Sequence, residues 1–168
     1  MPGSATSYLR TKVLGHTLAF AAYAEPTAIY LGLCTTATPP TATAPGSEVT
    51  GGAYARMAAT WAMVVSRTDL AANAATLEWP AATAPWGTIG YAEVWDAATA
   101  GNRLYWGPLV DPTDGVTPIT RSILVGDIMR IPAKIRPPRQ MTAPAYMAKV
   151  LKVDISVCAP EKSIVPCA

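Results

Sequence analysis

The chain has little charge, because only 14% of its 168 residues are Asp, Glu, Lys or Arg, with a formal net charge of +2. Typical soluble domains carry about 25% charged residues. The basic residues are few and scattered, so no nucleic-acid partner is expected. A surface with so few charges instead indicates a protein whose exterior is partly covered by other subunits.

Histidine is nearly absent, and His16 is the only one. A Ser-His-Asp or Cys-His arrangement would have to use it, although it falls within a predicted helix. The carboxylate pairs Asp111–Asp114 and Glu93–Asp96 have the character of turn and strand-surface residues. Zinc would need about four ligands, and His16 and the three cysteines have no familiar spacing. The sequence therefore predicts no enzyme, no catalytic residue, no metal and no cofactor.

No apolar run reaches the roughly 18 residues that a membrane-spanning helix needs, so no membrane partner is expected. Two basic residues precede the segment VLGHTLAFAAYA (13–24), as they would in a secretory signal peptide. Gly15, His16 and Thr17 interrupt this segment. We therefore favour an N-terminal helix over a signal peptide.

The three cysteines are Cys34, Cys158 and Cys167. Cys158 and Cys167 flank a short segment and could close a small loop by a disulfide. Cys34 would then be a free thiol or would bridge two subunits. Three unreacted thiols are the alternative, and the sequence does not choose between them.

Proline and glycine are abundant, and they alternate with short β-branched segments, which is typical of many short strands joined by turns. We predict one helix over 7–20, capped by Ser7. Its apolar stripe consists of Leu9, Val13, Leu14, Leu18 and Phe20. Strands are predicted at 27–35, 88–96, 103–110, twice within 119–135, and at 146–157. Segment 53–65 could be a strand or a helix, and we favour an irregular strand.

The predicted fold class is mainly β, an antiparallel β-sandwich with a short N-terminal α-helix and a C-terminal extension. We divide the chain into three parts. They are an N-terminal helix and arm (1–24), a β-sandwich core (25–135), and a Pro-rich linker with an added strand and a Cys-bearing tail (136–168).

The stretch WGTIGYAEVWDAATAGNRLYWGPL (86–109) is rich in aromatic residues and predicts a hairpin. In its first strand Ile89, Tyr91, Glu93 and Trp95 would share one face. If Trp95 lies opposite Arg103, the guanidinium could cover the indole in a cation–π contact, with Glu93 diagonal to it. The rings of the hairpin would either fill the core or stack on a ligand; they belong to Trp86, Tyr91, Trp95, Tyr105 and Trp106.

Several segments of the chain also occur in a familiar order. They are SYLRTKVLGHTL, AIYLGLCTTATPP, GGAYARMAAT, the aromatic hairpin and SILVGDIMRIPA. This order resembles a family of small tailed-bacteriophage virion proteins, often labelled tail-fibre proteins and including mycobacteriophage members. The matching residues are Tyr30, Gly32, Leu33, Gly52, Tyr54, Ala55, Arg56, Trp86, Gly87, Asp96, Gly101, Leu104, Gly107, Leu109, Gly126, Asp127 and Ile131.

The resemblance covers residues 7–133 and implies a β-rich structural protein located in the virion, present in many copies. Its implied partners are copies of itself and other virion proteins, with a host-surface receptor as a further candidate. A fibre of the tail or neck and a capsid decoration remain open. The sequence departs from the family after about residue 134, and we expect this extension to reach a neighbouring subunit. The alternative functions are a receptor- or glycan-binding β-sandwich with exposed aromatic rings, and a secreted non-viral domain.

Overall fold

The computed structural model describes residues 4–64, 67–111, 116–132 and 156–158. Within these ranges the chain forms one helix and short strands. The elements are β1 (Ser4–Ala5), α1 (Ser7–Leu18), β2 (Tyr30–Thr35), β3 (Met57–Ala58), β4 (Trp61–Val64), β5 (Arg67–Asn73), β6 (Leu77–Glu78), β7 (Gly87–Trp95), β8 (Arg103–Pro108), β9 (Arg121–Ile123), β10 (Ile128–Ile131) and β11 (Ser156–Cys158).

The largest sheet has six antiparallel strands and is built around β7. Its order is β1-β8-β7-β2-β3, and β9 pairs with the first three residues of β7. Strand β8 pairs with the later part of β7, from Tyr91 to Trp95. A three-stranded sheet has the order β11-β10-β6, and β4 and β5 form a two-stranded ribbon.

One hydrophobic core joins the two larger sheets. Leu31, Leu33 and Val94 enter it from the six-stranded sheet, and Met129 and Ile131 enter it from the three-stranded sheet. Because strand residues alternate between the two faces, Gly32, which lies between these leucines in β2, belongs to the opposite face of the large sheet. The predicted mainly β, antiparallel fold with one short helix is confirmed.

The predicted alternation along β7 is wrong at Ile89. Cys34 pairs with Tyr91, whereas the next residue of β2 pairs with Ile89, so Gly90 is an extra residue in a bulge. Ile89 is therefore buried in the core with Ala92 and Val94 rather than sharing the face of Glu93 and Trp95. A Cβ at Gly90 would lie 2.6 Å from the Thr36 side chain, which favours glycine there.

Helix α1 differs from its prediction in its cap and its end. Thr6, not Ser7, caps it: the Thr6 hydroxyl accepts a bond from the Leu9 N–H (3.2 Å) and donates to the Arg103 carbonyl (2.6 Å). The helix ends at Leu18, and Phe20 follows with a positive φ of 51°. Of the predicted apolar stripe only Leu9 is buried. This helix is too short and too polar to cross a membrane.

The remaining strand predictions have three outcomes. Segment 53–65 contains two separate short strands, β3 and β4, instead of one. Segment 119–135 contains the two predicted strands, β9 and β10. Strand β11 lies at the end of the predicted last strand, and the rest of the predicted extension (136–168) falls outside the described residues.

Candidate functional site

Two glutamate–arginine pairs lie on the face of the six-stranded sheet opposite the core. We call the group of Glu48, Tyr54, Arg56, Glu93 and Arg103 the polar clamp. Loop 36–48 covers this face: the Gly46 N–H donates to Glu93 Oε1 (2.9 Å), and Glu48 itself belongs to the loop. The clamp therefore joins the sheet to a loop that has almost no regular structure of its own.

Arg56 is the centre of the polar clamp. Its Nε and Nη2 donate to the two carboxylate oxygens of Glu48 at 2.8 and 2.7 Å, which is the bidentate geometry that guanidinium favours. Its Nη1 donates to the carbonyls of Ala97 (3.1 Å) and Ala100 (2.7 Å) in the β7–β8 turn. Its Cζ lies 3.7 Å from the centre of the Trp95 ring. One side chain thus connects the loop, the turn and the sheet.

The pair between Glu93 and Arg103 is more deeply buried. The side chains are 0% and 6% exposed, and Arg103 Nη1 donates to Glu93 Oε1 at 2.6 Å. Arg103 Nη2 also donates to the Thr41 carbonyl in the covering loop. A buried carboxylate without its cation would be strongly unfavourable, so the two residues depend on each other.

The predicted register of the hairpin is observed, but its predicted cation–π contact is wrong. Trp95 and Arg103 are paired across β7 and β8. The guanidinium over Trp95 nevertheless belongs to Arg56, because Arg103 is held by the Glu93 carboxylate and the Thr41 carbonyl.

Two protonated groups complete the buried face. The Tyr54 hydroxyl donates to Glu48 Oε1 (3.1 Å) and accepts from the Leu33 N–H (2.7 Å). Burial raises the pKa of Tyr54 far above its usual range, which outweighs the lowering by the Leu33 N–H. Burial also raises the pKa of the Cys34 thiol, and the neighbouring Glu93 carboxylate raises it further. Both groups are therefore neutral near pH 7, and Cys34 has none of the thiolate character that reactive cysteines need.

The segment that carries Tyr54 and Arg56 is held by two tryptophans. Trp86 Nε1 donates to the Gly52 carbonyl (2.8 Å), and Trp79 Nε1 donates to the Ala55 carbonyl (2.9 Å). The Tyr54 ring meets the Trp86 ring edge-on, with centroids 5.5 Å apart. Gly52 has a φ of 58°, and a Cβ there would lie 2.8 Å from Trp86 Nε1. The packing of the motif GGAYAR against the two tryptophans therefore positions the Arg56 side chain in the clamp.

The β7–β8 turn is fixed by its own side chains as well as by Arg56. Asp96 accepts bonds from the Asn102 backbone N–H (2.6 Å) and from its side-chain Nδ2 (2.8 Å). Gly101 has a φ of 74°, and a Cβ there would lie 2.5 Å from Asp96 Oδ1. The turn is exposed, but the hydrogen bonds from Arg56 and within the Asp96–Asn102 pair fix its shape.

The sequence-predicted site residues fall into three groups. Trp86, Trp95 and Trp106 are buried, and Tyr91 and Tyr105 are half-buried. Cys34 is a buried, free thiol. Cys158 is described only by its backbone in β11, and Cys167 lies outside the described residues.

Sequence reasoning from the residues missed the central part of the clamp. Tyr54 and Arg56 were singled out only by the resemblance, and Glu48 was not singled out at all. The Pro- and Thr-rich loop gives no periodic signal for Glu48, so only its contact with the sheet reveals it.

The clamp offers little for chemistry on a substrate. Its carboxylates and guanidiniums bind each other, and the described residues contain no cluster of three His, Cys, Asp or Glu that could hold a metal. A shallow cleft of about 390 Å³ lies beside it, between the start of α1, the covering loop and the turn. Among the described residues that line it, the charged one is Arg103, which is already bound to Glu93. The arrangement braces loops against a sheet.

Comparison with known proteins agrees with this structural reading. Residues 4–134 match the family described as Podophage GP4 fiber I protein gp80. No curated protein matches the chain. The matched range contains the whole polar clamp, the turn and helix α1, and it confirms the resemblance to phage fibre-type proteins. The chain belongs to the Podophage GP4 fiber I protein gp80 family and is a structural fibre component of a phage virion.

Proposed function

We propose that the chain is a rigid subunit that assembles in many copies on the exterior of the phage particle through contacts with other subunits. The observation that carries this proposal is the internal pairing of the polar clamp. Arg56 and Arg103 donate their hydrogen bonds to glutamates and backbone carbonyls of the same chain. Such a cluster fixes the shape of a subunit and leaves little free to act on a ligand.

A fibre of the tail or neck is favoured over a capsid decoration, because the matching family is described as a fibre protein. The alternative, a receptor- or glycan-binding module, would need aromatic rings open to a ligand. Trp86, Trp95 and Trp106 are buried, and the Trp95 face carries Arg56. We therefore propose a building role for these rings and no catalytic role for the chain.

The proposal is tested on purified virions of the phage that encodes the chain. Quantitative mass spectrometry against the major capsid protein should give several copies of this chain per particle. Gold-labelled antibodies against the chain should bind thin projections outside the capsid and label intact particles without disruption. Antibodies against an internal protein are the control, since they should bind only opened particles. Absence from purified particles, or labelling only after opening, would contradict the proposal.

A further inference from the structure

The three-stranded sheet contains a strand from outside the range that matches the fibre family. Its order is β11-β10-β6. Strands β6 and β10 lie within residues 4–134, which match the family, whereas β11 begins only at Ser156. The family part of the chain therefore provides an edge of this sheet, and the C-terminal extension provides the strand that covers it. We call the outer edge of β10, on the side away from β6, the acceptor edge.

The acceptor edge presents backbone groups that need partners. The Trp79 N–H donates to the Met129 carbonyl (2.9 Å), so Met129 turns its backbone groups toward the β6 side. Successive residues of a strand turn their N–H and C=O groups to opposite sides, so Ile128 and Arg130 turn theirs to the acceptor edge. Strand β11 pairs with both of them in antiparallel register. Such an edge receives an added strand mainly through its backbone, whichever chain supplies that strand.

Strand β10 is held in place by contacts that do not involve β11. Met129 and Ile131 are 0% and 2% exposed and belong to the hydrophobic core. On the β6 side Ile131 pairs with Leu77, and Arg130 Nε donates to Glu78 Oε2 (2.7 Å). The acceptor edge is therefore formed in advance, which lowers the ordering cost of adding a strand to it.

The connection between β10 and β11 is much longer than their pairing requires. Antiparallel neighbours are commonly joined by about 2–5 residues, whereas 24 residues (132–155) separate these two strands. A connection of this length can span up to about 80 Å, and a domain of this size is roughly 35 Å across. Strand β11 is therefore able to reach the acceptor edge of a neighbouring copy as well as its own.

We propose that the acceptor edge takes β11 of a neighbouring copy when copies are crowded together, so that the extension links subunits by strand exchange. An exchanged β11 makes the same backbone bonds as the internal one, because both have the same sequence. Effective concentration then decides between them, and neighbours held side by side on a particle raise it. The inference rests on the proposed function, because that function brings many copies close together.

The short length of β11 indicates that the exchange is reversible. Its three residues pair with three residues of β10, so few backbone bonds must open before the strand can change partners. The core contacts of β10 stay in place during this step. Exchange is therefore expected in the purified chain at high concentration, where it can be measured without the particle.

The test couples β10 to β11 by a short thiol crosslink in the full chain. The variant carries Ile128→Cys and Cys167→Ser and keeps Cys158, which lies opposite Ile128. Directly opposite residues have Cβ atoms about 4.5–5.5 Å apart, a spacing that dibromobimane bridges between two thiols. Cys34 is retained, since its buried thiol is neutral and free. Equal amounts of isotope-labelled and unlabelled variant are mixed before coupling, and mass spectrometry identifies the joined peptides.

The concentration dependence gives the decisive result. At about 10 µM the coupled peptides should come from single chains, because the internal strand has an effective concentration in the millimolar range. From about 10 µM to about 1 mM the fraction joining a labelled to an unlabelled chain should rise at least about tenfold. Met63→Cys with Cys167→Ser is the matched control. Met63 is exposed and lies on β4, so its coupling to Cys158 measures chance collisions and should stay low.

A second pair of positions reports the same contact if Ile128→Cys does not fold. Arg130 lies opposite Ser156. Arg130→Cys with Ser156→Cys, and with Cys158 and Cys167 replaced by Ser, should show the same rise in mixed crosslinks. Circular dichroism compares each variant with the wild type before coupling.

Two outcomes would overturn the exchange. One is a mixed fraction at about 1 mM no higher than that of the Met63→Cys control, and the other is failure of both folded pairs to couple at all. The proposed function can fail independently of these results. Absence of the chain from virions would contradict the virion role even if purified copies exchange β11. Presence in virions together with crosslinks only inside single chains would contradict only the strand exchange.

Discussion

In the polar clamp, Arg56 and Arg103 are bound to glutamates and carbonyls inside the protein, whereas the exposed side chains of Leu14, Leu18 and Phe20 near the end of α1 contact little of the described chain. Buried ion pairs must overcome a large desolvation penalty, so they fix one arrangement rather than add much stability. Exposed apolar side chains instead retain their burial energy for a partner. The first region fixes the shape of the subunit, and the second leaves apolar surface that the described part of the chain does not cover.

The largest predicted effect comes from removing one charge of the deeper pair. Arg103→Met leaves Glu93 buried without its cation, and we expect a loss of about 3–5 kcal/mol in the free energy of unfolding. Urea denaturation followed by tryptophan fluorescence measures it. The double variant Glu93→Gln with Arg103→Met should recover part of the loss, because it removes the uncompensated charge. A loss below about 1 kcal/mol in the single variant would show that the clamp is dispensable.

The second largest predicted effect tests whether the planar guanidinium of Arg56 contributes to stability beyond its positive charge. Arg56→Lys keeps the charge but loses the bidentate bond to Glu48, the bonds to the turn and the contact with Trp95, so we expect a loss of about 2–3 kcal/mol. Glu78→Gln is the control, because its pair with Arg130 is largely exposed and should be worth about 0–1 kcal/mol. Equal losses in the two variants, measured by urea denaturation, would argue against a special role for the guanidinium.

Two glycines with nearly the same backbone provide a matched test of the braced turn. Gly51 (φ 72°) has open space around a built Cβ, whereas at Gly101 (φ 74°) a Cβ would meet Asp96 and Ala97 at 2.5 and 2.6 Å. Gly51→Ala should cost about 1 kcal/mol from the backbone alone. Gly101→Ala should cost about 2 kcal/mol, because crowding is added. Thermal melting of both variants checks this, and similar midpoints would mean that the turn can relax.

The buried Cys34 thiol, which lies beside the clamp, gives the stability of the protein a pH dependence of defined sign. Because burial raises the pKa of Cys34, the folded state keeps the proton that the unfolded state loses above about pH 8.5. The contribution of Cys34 is therefore intact below that pH and declines as pH rises above it. When the pH is raised from 7 to about 10, the melting temperature of Cys34→Ala should fall by less than that of the wild type. Parallel declines would assign the alkaline loss to other groups such as Tyr54.

The smallest predicted effect is a substitution that should not lower the free energy of unfolding, in contrast to the substitutions in the clamp. Phe20→Gly should leave the free energy of unfolding unchanged or raise it by up to about 1 kcal/mol, because glycine relieves the positive φ and little burial is lost. Phe20→Ala removes the same ring without that relief and is the control. Urea denaturation compares them at a concentration where the chain is monomeric. If Phe20→Gly is clearly less stable than the wild type, the Phe20 ring contributes to the fold despite its exposure.

The fold was largely predictable from the sequence, while the clamp was not. Short apolar segments between Pro- and Gly-rich turns predict strands. The hypothesis that Trp95 lies opposite Arg103 agrees with the structure, although the register shift beside that pair was not foreseen. The bulge at Gly90 could not be foreseen, because it depends on the Thr36 side chain packed against it. The choice of Arg56 as the cation over Trp95 depends on where loop 36–48 and the turn place their oxygens, and these are contacts between distant parts of the chain.

The edges of the six-stranded sheet bear on how many such subunits can be crowded together. Its outer strands are short: β1 and β3 have two residues each, and β9 has three. Long open edges offer unpaired N–H and C=O groups to neighbouring molecules and promote aggregation. With edges this short, the six-stranded sheet offers little backbone through which crowded copies could pair. This sheet therefore resists the edge-to-edge fusion that longer open edges would promote in a crowded setting.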